Sequence, residues 1–98
     1  MIDITTEDLK AKLDAKKSVF LKIWKPGCGA CKLSVPAVER VEQEFSGYEF
    51  CQIDSNQHPE ILEISESDVL PTFFLFKDGN QTGKLIGFKG IEKLRSLF

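Results

Sequence analysis

The 98-residue sequence has no continuous apolar run long enough to cross a membrane and no linker rich in proline, glycine or serine. Its 13 lysine and arginine residues are interleaved with 15 aspartate and glutamate residues, so no basic stripe forms along the chain. These absences argue against a membrane partner, a nucleic-acid partner and a second domain. We therefore expect one domain over residues 1–98.

The sequence also lacks the features of a secreted protein. It begins MIDITTEDLKAKL, which is acidic and polar where a signal peptide needs a basic start followed by an apolar stretch. Its three cysteines are an odd number, which disfavours a secreted disulfide framework and leaves at least one free thiol after any pairing. We expect a cytoplasmic protein, in which a close cysteine pair that oxidises reversibly usually performs chemistry.

Two segments are predicted to be central strands, SVFLKIW at 18–24 and TFFLFK at 72–77, because they are apolar on both faces except at Lys22. The Asp-Gly pair at 78–79 favours a hairpin, so the strand at 72–77 should pair antiparallel with a strand at 84–88. With the remaining segments, the predicted order is β-α-β-α-β-α-β-β-α. This order predicts an α/β fold in which a mixed sheet lies between helices.

A long amphipathic helix is predicted from about Cys28 to Phe45. Its apolar face is expected to consist of Leu33, Ala37, Val38, Val41 and Phe45. Pro36 removes a backbone donor and its ring clashes with the preceding turn, so we expect a kink about two turns into the helix. We expect Gly47 to end the helix.

The stretch WKPGCGACK, residues 24–32, places Cys28 and Cys31 three positions apart, and three interpretations compete. A zinc site would have to recruit Cys51 and His58. Zinc modules more often show two short pairs of cysteine or histidine ligands. The simplest interpretation of Cys51 is an inert buried thiol, and that of His58 is a surface residue at a helix start. A structural staple would close so little chain that its effect on the unfolded state is modest.

The third interpretation, a redox dithiol, has the most physical support. Cys28 falls at the N-terminal end of the long helix, where free N–H groups and the positive end of the helix dipole lower the pKa of a thiol. Cys31 follows one turn later, within reach of a disulfide. Gly27 and Gly29 leave Cys28 uncrowded, so a substrate sulfur can approach it in line.

The stretches WKPGCGACK and LPTFFLFKDG, together with the β/α order, resemble the thioredoxin family over essentially the whole chain. The resemblance implies the thioredoxin fold and a thiol-disulfide oxidoreductase that reduces protein disulfides through a mixed disulfide. It also implies a monomer with no cofactor besides its redox-active disulfide, and a flavin-dependent thioredoxin reductase as electron donor.

The resemblance also implies roles for individual residues. Cys28 would be the attacking nucleophile and Cys31 the resolving cysteine, with Gly29 and Ala30 between them. Pro36 corresponds to the proline that kinks the active-site helix. The other supporting positions would be Trp24 beside the active site, Leu70 and a cis Pro71 against the disulfide, and Gly87 in the substrate groove.

The sequence departs from the family pattern at three positions. Ala30 replaces the proline usually found between the cysteines, which predicts a reduction potential somewhat above the value of about -270 mV for thioredoxin. Gly27 replaces a tryptophan, which makes the lip of the site less apolar. Lys22 replaces a buried aspartate. A lysine there would stabilise a nearby thiolate but could not accept a proton while charged, and the simpler interpretation is that Lys22 extends its ammonium group to the surface.

Two alternative functions remain open at this point. The altered residues around the motif lend some weight to a glutaredoxin-like reductase linked to glutathione. A binding module with a thioredoxin fold and incidental cysteines is the alternative outside enzymology.

Overall fold

A computed structural model describes residues 1–98 and contains five strands and four helices in the predicted order. The elements are β1 (Ile2–Asp3), α1 (Thr6–Asp14), β2 (Val19–Trp24), α2 (Gly29–Glu44), β3 (Glu49–Asp54), α3 (Glu60–Ser65), β4 (Thr72–Lys77), β5 (Asn80–Ile86) and α4 (Ile91–Arg95). No helix combines the length and the apolar character needed to span a membrane.

The strands form one mixed sheet in the order β1-β3-β2-β4-β5, which confirms the predicted α/β fold. The central strand β2 pairs parallel with β3 and antiparallel with β4. Strand β1 lies at one edge and β5 at the other. Because β2 is central, its carboxyl end delivers Trp24 and the loop that follows to the middle of one sheet edge.

Helices cover both faces of the sheet, and the alternation of side chains along β2 assigns each residue to a face. Leu21 packs in a core with Leu9 of α1 and Ile61 of α3. Phe20 packs in a second core with residues of α2 and α4. Lys22 lies two positions beyond Phe20 and therefore faces α2.

The C-terminal Phe98 closes the second core with an aromatic cluster. Its ring stacks on that of Phe45 with centroids 4.2 Å apart and meets the Tyr48 ring edge-on at 5.1 Å. The rings of Phe20 and Phe50 also lie within 6 Å of it, at 5.7 and 5.9 Å. Aromatic contacts at these distances stabilise a core beyond simple burial.

The β4–β5 hairpin is tighter than predicted. Asp78 and Gly79 both have positive φ, 53° and 83°, as the two central residues of a type I′ turn require. Pairing therefore resumes at Asn80, four residues earlier than the expected start of the strand. A side chain at Gly79 would also collide with the backbone of α1, because an added Cβ would lie 2.5 Å from the Leu13 carbonyl oxygen.

Helix α2 buries most of its predicted apolar face, since Val38 and Val41 lie in the core and Ala37 and Phe45 pack against it, but one assignment fails. Leu33 is 73% exposed, so its assignment to the apolar face is wrong. The buried stripe consists of Cys31, Ser34, Val38 and Val41. The pattern of apolar residues did not indicate this stripe, because one of its buried positions holds the small polar residue Ser34. The helix runs through Pro36, and the expectation that Gly47 ends it is also wrong, because Phe45 already occupies the C-cap position.

Candidate active site

Cys28 and Cys31 form a disulfide at the start of α2, with their Cα atoms 5.3 Å apart. Cys28 is the N-cap residue, and its Sγ accepts a hydrogen bond from the backbone N–H of Cys31 at 3.2 Å. Such a donor at a helix N-terminus stabilises negative charge on sulfur. Cys28 is partly exposed, whereas Cys31 is only 3% exposed, so the two sulfurs differ in access to a partner.

The turn between β2 and α2 explains why Cys28 is open to approach. Pro26 and Gly27 occupy this turn, and Gly27 has a φ of +78°, which a residue with a side chain adopts only at a cost. An added Cβ at Gly27 or at Gly29 would meet no atom within 4 Å. The two positions that flank Cys28 in the chain are therefore uncrowded.

The loop before β4 lies against the other side of the disulfide. The Leu70 carbonyl oxygen is 3.9 Å from Cys28 Sγ, and the Leu70–Pro71 peptide bond is cis. The Gly87 backbone N–H donates to the Pro71 carbonyl at 2.8 Å. The structure thus brings together Cys28, Leu70, Pro71 and Gly87, which lie in three separate stretches of the sequence.

Trp24 ends β2 beside a cleft of about 170 Å³ next to the disulfide. The cleft is lined by Lys22, Trp24, Lys25, Pro26, Gly27, Cys31, Lys32, Val35 and Gln52. The indole Nε1 of Trp24 is buried and has no hydrogen-bond partner. The cleft has room for several water molecules beside Cys31.

Lys22 lies beneath the cysteine pair and does not reach the surface. It is only 4% exposed, and its Nζ donates to the Cys31 carbonyl oxygen at 3.0 Å. The expectation that its ammonium group extends to the surface is wrong, because β2 is the central strand and α2 covers this face. Burial lowers the pKa of Lys22.

Ser34 is a site residue that the sequence interpretation missed. It is fully buried one turn after Cys31, and its hydroxyl donates to the Cys31 carbonyl oxygen at 2.7 Å. The same carbonyl therefore accepts from both Ser34 and Lys22. The spacing of Ser34 from Cys31 and Val38 on one helical face was the available signal.

The remaining cysteine and the histidine lie apart from the pair. Cys51 is unpaired and fully buried in β3, in the core on the α1 side of the sheet, and burial raises the pKa of its thiol. His58 precedes α3, with its Nδ1 3.8 Å from a Glu60 carboxylate oxygen. No group of three or more histidine, cysteine, aspartate or glutamate side chains is arranged to hold a metal ion.

Comparison with known proteins gives a consistent picture. The thioredoxin family model matches residues 1–98. A thioredoxin from Mycoplasma genitalium is 32% identical over 92 residues, which cover 94% of this chain and 90% of that protein. Thioredoxin-1 from Saccharomyces cerevisiae is 24% identical over 83 residues, which cover 85% of this chain and 81% of that protein.

Solved structures of thioredoxins also superpose on this chain. Oxidised mitochondrial thioredoxin 3 from Saccharomyces cerevisiae has a TM-score of 0.88 at 25% identity, with 98% of this chain and 91% of that chain covered. Fasciola hepatica thioredoxin has a TM-score of 0.85 at 26% identity, with 98% and 94% covered.

Proposed function

This chain belongs to the thioredoxin family and is a thiol-disulfide oxidoreductase, and we propose that it reduces protein disulfides with Cys28 as the attacking and Cys31 as the resolving cysteine. The observation that carries the two roles is the difference in exposure between the sulfurs. A substrate sulfur can approach Cys28, which is partly exposed at the helix N-terminus, whereas the buried Cys31 can reach only Cys28.

The proposed reaction is two successive thiol-disulfide exchanges. The Cys28 thiolate attacks one sulfur of the substrate disulfide, whose bond breaks, and the other substrate sulfur leaves as a thiolate that takes a proton from water. The Cys31 thiolate then attacks Cys28 Sγ and releases the second substrate thiolate. Two electrons pass to the substrate, and the Cys28–Cys31 disulfide remains.

The residues around Cys28 form the proposed docking surface for the substrate. The Leu70 carbonyl lies beside Cys28 Sγ, and Gly87 is hydrogen-bonded to Pro71, so a chain that crosses Cys28 would run along this loop. We assign the supporting positions to Trp24, Gly29, Ala30, Leu70, Pro71 and Gly87.

The partners and setting of the enzyme follow from its family and composition. A thioredoxin reductase would return the disulfide to the dithiol by a further exchange, so that the chain takes part in electron transport and redox homeostasis. The nearly balanced charge, with a net value of -2, supports protein substrates rather than nucleic acid. We propose that the protein acts as a cytoplasmic monomer.

Reduction of insulin disulfides by dithiothreitol tests the proposed activity. The wild-type protein and a Cys51→Ala control should accelerate the reduction, and Cys28→Ser should leave the uncatalysed rate. Cys31→Ser, reduced and then mixed with insulin after removal of dithiothreitol, should accumulate a mixed disulfide that is visible on a non-reducing gel. Full activity in Cys28→Ser would refute the assignment of the nucleophile.

The electron donor needs a separate experiment. Insulin reduction should proceed with NADPH and a bacterial thioredoxin reductase, and more slowly with glutathione and its reductase. The opposite order would favour the glutathione-linked alternative.

A further inference from the structure

The buried amino group of Lys22 has no carboxylate beside it to balance a positive charge. Its Nζ has one partner, the neutral Cys31 carbonyl, and none of the salt bridges in the structure includes it. Buried charges in proteins are normally paired, because removing an ion from water costs several kcal/mol. The oxidised cysteine pair is neutral and offers no compensation.

The surroundings of Lys22 reinforce its isolation. Lys22 adjoins two clefts, the one beside Trp24 and a second one lined by Met1, Val35, Val38, Glu39 and Gln52. The charged groups that line these clefts besides Lys22 are the side chains of Lys25, Lys32 and Glu39 and the N-terminal amino group of Met1. Glu39 is the only carboxylate among them, and it is exposed to water on the surface of α2. The neighbours of Lys22 in the sheet, Gln52 on β3 and Phe73 on β4, are neutral.

Reduction of the disulfide produces two thiols, and loss of the proton from the Cys31 thiol would place a negative charge in this site. We propose that Lys22 is a positioning residue whose ammonium group is the counter-charge for the Cys31 thiolate when Cys31 displaces the substrate. This inference rests on the proposed function, in which Cys31 is the resolving cysteine. It assigns to Lys22 an electrostatic role in a site where no carboxylate lies beneath the pair to accept a proton.

In the mixed disulfide, the Cys31 thiol gives its proton to water in the cleft that Lys22 and Cys31 both line. The thiolate, stabilised by Lys22, attacks Cys28 Sγ, and the bond between Cys28 and the substrate sulfur breaks. The substrate sulfur leaves with the bonding electron pair and takes a proton from water. No oxidant or reductant beyond the dithiol and the substrate disulfide is involved.

Stopped-flow reaction with 5,5′-dithiobis(2-nitrobenzoate) separates the two cysteines. Attack by Cys28 on the reagent releases one 2-nitro-5-thiobenzoate anion and leaves a mixed disulfide on Cys28. Attack by Cys31 on that mixed disulfide releases a second anion, so the two absorbance phases report the two cysteines. In Lys22→Met the apparent pKa of the second phase should rise by about one unit, so that its rate falls about tenfold below that pKa. Lys32→Met removes an exposed lysine from the same cleft and should shift the second phase much less.

A conservative variant distinguishes charge from proton acceptance. Lys22→Arg keeps the positive charge but cannot accept a proton, because the guanidinium stays protonated. It should retain the wild-type pH profile of the second phase. A general-base role for Lys22 would instead make Lys22→Arg as slow as Lys22→Met, and that result would overturn the proposal if both variants fold as judged by circular dichroism.

A measurement on the unaltered protein avoids any dependence on variant folding. Coupling between two groups is reciprocal, so if Lys22 stabilises the Cys31 thiolate, ionisation of Cys31 in the reduced protein must raise the pKa of Lys22 above its value in the oxidised protein. Titration of its side chain by NMR in the oxidised and reduced proteins should show this rise. An unchanged Lys22 pKa would overturn the inference, whereas failure of the proposed function would appear separately as insulin reduction that does not require Cys28.

Discussion

Replacement of Lys22 by methionine should stabilise the oxidised protein, although it removes a hydrogen bond. The oxidised state contains the buried ammonium group without a counter-charge. Methionine retains an unbranched side chain of similar length, so the space between β2 and α2 stays filled. The Cys31 carbonyl oxygen retains the hydrogen bond from Ser34.

The size of the effect is the difference between two opposing contributions. Desolvation of a buried ion costs several kcal/mol. A hydrogen bond that involves a charged group contributes about 1.5–3 kcal/mol in the other direction. We expect Lys22→Met to raise the free energy of unfolding by about 1–2 kcal/mol, and the melting temperature of a domain of this size rises by roughly 4–8 °C for each kcal/mol.

The effect should also depend on pH with a definite sign. Burial lowers the pKa of Lys22 in the folded state, so between that value and the ordinary lysine pKa the unfolded chain binds more protons. The stability of the wild-type protein therefore rises with pH across this window. The advantage of Lys22→Met should be fully present below the folded-state pKa and should shrink as the pH approaches about 10.4, the value of an unperturbed lysine.

Urea unfolding of the oxidised proteins at pH 7 and pH 10 measures both effects. Lys32→Met is the matched control, because it removes an exposed lysine and should change stability by less than about 0.5 kcal/mol. The reasoning would be refuted if Lys22→Met were no more stable than the wild type at pH 7. If the difference in unfolding free energy between Lys22→Met and the wild type were the same at both pH values, the assignment of the effect to the ammonium charge would be refuted.

Three further predictions concern the fold. Gly79→Ala should lower the free energy of unfolding by about 2 kcal/mol or more, and Gly27→Ala should lower it by about 1 kcal/mol. Both positions have a positive φ, but only at Gly79 would a Cβ collide with the Leu13 carbonyl oxygen. Equal losses for the two variants in urea unfolding would contradict this reasoning. Cys51 should resist alkylation by iodoacetamide until the chain unfolds, because it is fully buried and the pKa of its thiol is raised. Rapid labelling of Cys51 in the native protein, detected by mass spectrometry, would contradict this prediction. Phe98→Ala should cost about 2–4 kcal/mol, since the ring contacts four other aromatic rings, and a loss below about 1 kcal/mol would show that the cluster contributes little.

The element order and the mixed sheet could be predicted because their signals are local. The segments 18–24 and 72–77 are apolar on both faces except at Lys22, a pattern typical of a strand that is covered on both sides. The Asp-Gly pair marked the hairpin, although the strand after it begins earlier than the pattern indicated. The apolar face of α2 was misplaced at Leu33 because Cys31 and Ser34, rather than larger apolar residues, occupy the buried positions of its first turns.

The active site was predictable only in part. Cys28 and Cys31 are close in sequence, and their position at a helix start follows from the Pro-Gly turn before them. The approach of Leu70 to Cys28 depends on how β4 pairs with β2, which spacing alone does not reveal. The burial of Lys22 likewise depends on the packing of α2 over the central strand, so its contact with the Cys31 carbonyl was not foreseen.

The reduction potential of the Cys28–Cys31 couple tests the central claim most directly. Equilibration in dithiothreitol buffers, with thiol labelling as the readout, should give a value between about -270 and -240 mV, since Ala30 replaces the family's proline. Ala30→Pro should move the value toward the lower end. A potential above about -200 mV would contradict a reductase supplied by thioredoxin reductase, and failure of the pair to form a reversible disulfide would contradict the account as a whole.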